Sequence, residues 1–304
     1  MILGRVDNRA LNRAIAVVAA AWILLAGGFG LYYYSDRYGH ASLPIVDRGI
    51  EQMAQILEAD PSDLDARAEL ALYFLEGKML DDAIEQSEAV LMVKPDHQGA
   101  LFVAGKAYLA KENEDKSAEY FGRIVELNKE NQYARFDWKL GIVHYDLGNI
   151  FLKRGQYTRA EWEFQALLMA DRTDADAYFG LGQSLMEQQK LDLAIEAFRS
   201  ALRLDPEHEQ FYEGLKEACD RKGLKDYAAF ARAMLLYTQG NCDEALAELQ
   251  RVAEALPEYS EVHRALGMSY ERIGKRDEAV RAYRRALELD PGDRASEQGL
   301  KRLD

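Results

Sequence analysis

Six times along this chain the same order of small, bulky and turn-forming residues returns. "AIEAFRSALRLDPEH" (Ala194 to His208) and "AVRAYRRALELDPGD" (Ala279 to Asp293) are the plainest pair, sharing Ala, an aromatic, Ala-Leu and Leu-Asp-Pro. Their first alanines have counterparts at Ala83, Ser117, Ala160 and Ala245, and the six positions lie 34, 43, 34, 51 and 34 residues apart. Twelve residues before each stands a small residue: Ala71, Gly105, Gly148, Gly182, Ala233 and Gly267. Nine before each stands a bulky apolar one: Phe74, Tyr108, Phe151, Leu185, Leu236 and Tyr270. Four after five of them comes another, Phe121, Phe164, Phe198, Leu249 and Tyr283, with Ser87 in its place in the first repeat. Proline closes the unit at Pro95, Pro206, Pro257 and Pro291, and Lys129 and Arg172 replace it in the other two.

Such a period reads as a pair of antiparallel helices. The small residues let the two helices approach, bulky residues on neighbouring turns fill the space beside them, and proline ends the second helix. One pair cannot bury both of its faces, so pairs must stack. The pattern resembles the tetratricopeptide repeat (TPR) family, in its membrane-anchored bacterial envelope form. The resemblance implies an all-α TPR solenoid of about six repeats, starting near Leu64, Gln98, Gly141, Ala175, Asp226 and Ser260. It is nearly silent on function, because function lives in the site and not in the fold.

The irregular spacings carry information of their own. The 43-residue step holds nine extra residues, "QYARFDWKL", read here as a longer first helix. The 51-residue step holds half a repeat, hence one additional helix over Glu209 to Lys222. "EGLK" at Glu213 and "QGLK" at Gln298 each begin seven residues after a repeat-closing proline, so both read as capping helices. That divides the repeats into two arrays, 64–222 and 223–304, each ending in a cap with a polar outer face. A lone helix from Val46 to Ala59, within the linker 36–63, caps the start.

Residues 14–35, "AIAVVAAAWILLAGGFGLYYYS", carry no charge over 22 positions. As a helix they span roughly 33 Å, enough for a bilayer core. Tyr32, Tyr33 and Tyr34 sit where such a helix leaves the membrane. A cleaved signal peptide is the competing reading, but its apolar region is shorter. The expectation is one uncleaved transmembrane anchor helix behind a tail of residues 1–13. Arg5, Arg9 and Arg13 precede the span and only Arg37 closely follows it, which places the N-terminus in the cytoplasm and the repeats outside it, periplasmic or extracellular. Residues 1–41 carry a charge of +2, so the rest holds −16 of the chain's net −14. A domain of that charge repels nucleic acid and anionic head groups, leaving basic or apolar protein segments as partners.

Nothing in the sequence supports an enzyme, a metal or a cofactor. The five histidines share no metal-ligand spacing, and His97 and His208 read as solvated turn residues. Acidic pairs such as Asp81-Asp82 open second helices, where they complement the helix dipole. Cys219 and Cys242 are separated by one helix of about 20 Å, too far for a disulfide.

The functional signal is a stripe. In TPR proteins the first helix of each pair lines the concave groove. The positions concerned hold Ala68, Phe102, Tyr145, Phe179, Phe230 and Arg264, and further along the same face Leu72, Lys106, Asn149, Gln183, Met234 and Met268. The candidate partner groove is therefore Phe102, Lys106, Tyr145, Asn149, Phe179, Gln183, Phe230 and Met234. An aromatic followed by a polar residue in successive repeats suits an extended or helical peptide. Packing between adjacent repeats is the competing role for the same rings. The family's clamp for the C-terminal carboxylate of heat-shock chaperones is implied at Asn149 alone. Gly180, Phe179 and Phe102 stand where its cations and second Asn belong, so that docking mode is not expected.

The layout resembles envelope proteins that assist secretion, pilus assembly, outer-membrane biogenesis or cytochrome c maturation. The expectation is a membrane-anchored scaffold. The alternative is a regulatory subunit facing the cytoplasm. TPR proteins that control lipopolysaccharide synthesis share that layout but carry a Cys-rich metal module, which is not found up to Asp304.

Overall fold

The computed structural model describes residues 45–131 and 137–303. The expected membrane span at 14–35 lies outside these residues, and none of the described helices is long and apolar enough to cross a bilayer. Among the described residues there are fifteen helices and no strands. In order they are α1 (Ile45–Ala59), α2 (Leu64–Glu76), α3 (Leu80–Val93), α4 (Gln98–Ala110) and α5 (Glu114–Asn128). Then come α6 (Trp138–Lys153), α7 (Tyr157–Ala170), α8 (Ala175–Glu187), α9 (Leu191–Leu204) and α10 (Glu209–Lys222). The last five are α11 (Lys225–Thr238), α12 (Cys242–Ala255), α13 (Ser260–Arg272), α14 (Arg276–Leu289) and α15 (Arg294–Leu303). The chain forms two compact units, one ending at Ser117 and the other beginning at Ala118, inside α5.

Local chemistry sets the helix boundaries. Four of the six first helices open on side-chain caps, whereas Leu224 and Tyr259, before α11 and α13, make none. Asp63 accepts from Ala66 N (2.9 Å), Asp137 from Lys139 N (2.9 Å) and Asp174 from Ala177 N (2.8 Å). His97 does the same with Nδ1, accepting from Ala100 N at 3.1 Å, while its Nε2 bonds Asp65 at 2.9 Å. It is thus a cap and not the solvated turn residue expected. Each cap satisfies an amide that the first helical turn leaves unbonded.

The turn inside each pair works differently. It puts one residue in the left-handed region: Lys78 (φ 60°), Glu112 (59°), Gly155 (69°), Gln189 (61°), Gly240 (85°) and Gly274 (76°). All six stand five residues before the marker Ala or Ser, so they share the irregular spacing of the repeats. Three are glycine, which takes this conformation freely, and three are not.

The pairs interlock through a rule of sixteen. The Phe164 ring of α7 lies between Gly148 of α6 and Gly180 of α8, sixteen residues to either side. Phe198 of α9 lies between Gly182 and Gly214, and Tyr283 of α14 between Gly267 and Gly299. A methyl group on Gly148, Gly182 or Gly214 would fall 2.8, 2.6 or 2.7 Å from the ring it faces. Where the middle residue is smaller, its flanks are larger. Ala233, Leu249 and Ala265 hold the three places in one repeat, and Ala71, Ser87 and Val103 in another, all buried. Ser87, the exception in the sequence pattern, is thus matched by a valine. Volume is conserved across the three places, as close packing requires.

Of the lone helices, α10 and α15 take first-helix places and α1 a second-helix place, its Gly49 and Met53 standing 34 residues before Ala83 and Ser87. In the first unit, α1 packs on α2 in a cluster of Met53, Ala66 and Leu70 with Ile50, Leu57, Tyr73 and Phe74. In the second, α10 and α15 supply the outer glycine to Phe198 and Tyr283. The nine-residue insertion lengthens α6 only slightly. Asp137 caps it at Trp138, Glu130 and Asn131 before it are not helical, and 132–136 lie outside the described residues.

α10 exposes a polar stripe of Gln210, Glu213, Glu217, Asp220 and Arg221, while its apolar face continues the packing into the next repeats. Phe211, Tyr212, Leu215, Ala218 and Cys219 are all buried, and one hydrophobic cluster runs from Leu185 to Leu266 straight across residues 222 and 223. The reason is a long-range contact. Arg199 of α9 donates from Nε to Glu261 Oε1 of α13 at 3.0 Å and lies 5.3 Å from the Tyr259 ring centre. The extra helix thus turns the next repeats so that the start of α13 covers α9 and α10.

Candidate functional site

Each groove candidate lies on the first helix of a pair, at the places given by the repeat. Phe102 and Lys106 sit on α4 in the first unit; the other six sit on α6, α8 and α11 in the second. Their exposure divides them. Phe102 is 8% exposed, Phe230 2% and Met234 1%, so these side chains pack inward. Phe230 lies 5.2 Å from Tyr259 and 6.3 Å from Tyr212, inside the cluster that α10 forms with α13. Arg264, at the stripe position of the last repeat, is buried and pairs with Asp293 at 3.4 Å. The extra helix changes what α11 and α13 face, and the stripe is covered there.

Lys106, Tyr145, Phe179 and Gln183 are half-buried and Asn149 is exposed. On α6 the Tyr145 hydroxyl is hydrogen-bonded to Asn149, one turn on. Burial holds that phenol above its usual pKa, against the pull of the Asn149 bond; Asp176 and Asp174 of α8 and Asp146 raise it further. It is therefore a neutral donor and acceptor at ordinary pH. On α8, Phe179 leans on Phe211 (5.1 Å between ring centres) and on Phe198 (5.7 Å). One face of its ring thus belongs to the packing between α8, α9 and α10. The arrangement offers an aromatic surface beside amide groups on two adjacent first helices. It can bind an extended backbone but holds no nucleophile.

A second concavity was missed in the sequence. A cavity of about 250 Å³ opens between the end of α5, the start of α6 and the outer face of α7, lined by Val125, Leu140, His144, Trp162, Ala166 and Met169 among others. His144 Nδ1 bonds Glu163 Oε2 at 2.7 Å in its buried wall. Trp162 and Met169 are exposed at its rim. The signal was available: large apolar residues stand on α7 at positions the repeat does not require. Among the described residues no group of three His, Cys, Asp or Glu side chains is placed to hold a metal ion, and Cys219 and Cys242 are free thiols.

Comparison with known proteins places this geometry. Two family models described as tetratricopeptide repeat match the chain, one over residues 145–209 and 230–294 and the other over 99–131, together just over half of its length. Among curated proteins, anaphase-promoting complex subunit 3 of Schizosaccharomyces pombe is 22% identical over 78% of this chain and 32% of its own length. BBSome complex member BBS4 of Mus musculus is 22% identical over 73% of this chain and 44% of its own. The chain thus spans less than half of these relatives. Among solved structures, residues 41 to the end of MamA from Desulfovibrio magneticus superpose with a TM-score of 0.50 at 21% identity, covering 59% of this chain and 94% of that one. The C-terminal part of a TPR repeat-containing protein from Cytophaga hutchinsonii gives 0.50 at 17% identity, covering 83% and 93%. At these identities the structures share the fold alone. With the repeat period, the interlocking glycines and the family models in agreement, the chain belongs to the tetratricopeptide repeat family.

Proposed function

We propose that this protein is a membrane-anchored scaffold that binds a segment of another envelope protein along the first helices of its repeats. The observation that carries the proposal is the pairing of Tyr145 with Asn149 on α6 and of Phe179 with Gln183 on α8. Rings with one packed face and one open face, each followed by an amide, suit a peptide with apolar anchors and unsatisfied backbone groups. Lys106, with Phe102 behind it, is the corresponding pair on α4. The anchor is the uncharged stretch 14–35, and the three arginines before it put the repeats outside the cytoplasm. Assistance in complex assembly, secretion or cytochrome c maturation is the role such a layout fits.

The test is recovery of partners from detergent-solubilised membranes with the full chain. Asn149→Ala combined with Gln183→Ala, the first exposed and the second half-buried, is expected to leave the melting temperature nearly in place and to reduce recovery. Unchanged recovery with this pair and with Tyr145→Ala would remove the groove. Fusion of alkaline phosphatase or a green fluorescent protein to the C-terminus reports orientation. An active phosphatase and a dark fluorophore are expected; the reverse would make the protein a cytoplasm-facing subunit.

A further inference from the structure

A helix pair with its covering helix occurs twice in the second unit, eighty-five residues apart: α8, α9 and α10, then α13, α14 and α15. Phe198 corresponds to Tyr283, Gly214 to Gly299, Leu202 to Leu287, Leu215 to Leu300 and Arg199 to Arg284. In the first copy the outer face is covered. Leu202 and Leu215 are buried, and Arg199 meets the Glu261 carboxylate and the Tyr259 ring at the start of α13. In the second copy the same face is bare. Arg284 is exposed, and Leu287 and Leu300 are only half-buried. An open cleft of about 460 Å³ runs beside it, lined by Arg276, Asp277, Val280, Arg281, Arg284 and Leu303. Among the described residues, neither Arg281 nor Arg284 has a carboxylate partner, in a chain of net charge −14.

We propose that the outer face of α14 and α15 docks a helical segment of a partner protein whose first turn presents an aromatic ring and a carboxylate. The chemistry is that of Tyr259 and Glu261, which the fold itself places on the equivalent face one copy earlier. Two adjacent unpaired guanidiniums beside half-covered leucines ask for an acidic, amphipathic partner and reject a basic one. A second copy of this chain is a poorer occupant, because its own Tyr259 and Glu261 are already seated on α9 and α10. This surface is separate from the groove of α6 and α8, so either can fail alone.

The probe is a peptide copying Lys225 to Arg272, its helicity checked by circular dichroism, titrated against the full chain in detergent. Saturable binding is expected. Arg284→Glu in the full chain should weaken it roughly tenfold or more, since like charges replace a matched pair. The change leaves the melting temperature in place, because Arg284 is exposed. Glu261→Arg in the peptide should weaken binding to the unaltered chain and restore binding to the Arg284→Glu chain. A helical peptide that fails to bind, or that binds both chains equally, overturns the proposal. Self-association of the full chain without peptide, abolished by Arg284→Glu, would put a second copy on this face instead and also overturn it.

Discussion

Arg302 on α15 holds both carboxylate oxygens of Glu271 on α13, with Nε 2.8 Å from Oε1 and Nη2 2.9 Å from Oε2. The Tyr283 hydroxyl donates to Oε2 as well, at 2.7 Å. The guanidinium keeps this carboxyl below its ordinary pKa, over the opposing effect of burial and with help from Tyr283. A depressed folded pKa adds stability above the unfolded value, and that stability is lost as pH falls through the folded value. Half of the pair is open to solvent, so the contribution is at most about 1 kcal/mol. Denaturant titrations from pH 6 down to pH 3 should show this loss below about pH 4.5, and Arg302→Gln should flatten that part of the curve.

The left-handed turns make a second prediction. Gln189→Gly and Glu112→Gly should raise stability by up to about 1 kcal/mol each, because glycine adopts their φ without strain. Gly155→Ala should lower it by a similar amount. Thermal melts of the three variants decide it, and a destabilised Gln189→Gly would mean that its side chain contributes more than the strain removes.

Volume trading across the sixteen-residue interlock is testable by a double-mutant cycle. Gly214→Ala puts a methyl group against the Phe198 ring and should cost about 1–3 kcal/mol. Adding Phe198→Leu recreates one side of the Ala233, Leu249 and Ala265 arrangement. The double variant should therefore be less destabilised than the sum of the singles by at least about 0.5 kcal/mol. Strict additivity would show that the ring and the glycine do not compete for the same space.

Phe179 separates packing from binding. Its ring touches Phe198 and Phe211, so Phe179→Ala should lose about 2–3 kcal/mol of stability, below the cost of a fully buried phenylalanine. Asn149→Ala should lose less than about 0.5 kcal/mol. Equal melting temperatures for the two would return Phe179 to the open groove.

The two thiols should differ in reactivity. Cys219 is fully buried, and burial pushes its pKa up to about 11, while Cys242 is partly exposed. At pH 8 a thiol reagent is expected to modify Cys242 first and Cys219 only on unfolding. Equal rates would show that α10 opens in the native state.

The helix starts were legible because small, bulky and closing residues recur with the repeat; the extra helix fell on Glu209 to Lys222 as its half-repeat length required. The left-handed turns were not, since Lys78, Glu112 and Gln189 carry no chemical sign of the conformation they take. The stripe was legible as position but not as exposure. Phe230 and Tyr145 hold the same place in their repeats, yet α11 follows the extra helix, and the rings of Tyr212 and Tyr259 close over Phe230. Sequence periodicity gives which way a side chain points along its helix; what stands opposite depends on how the next helix returns.

An aromatic gripped between glycines of two successive first helices is a shared possession of three helices. A fragment cut after α9 would leave Phe198 open on the side that Gly214 fills, whereas a cut after α10 leaves the ring enclosed. The smallest piece that closes on itself therefore has an odd number of helices. Truncations from the C-terminal side should be tolerated where they leave a first-type helix outermost, and should unravel that edge where they do not.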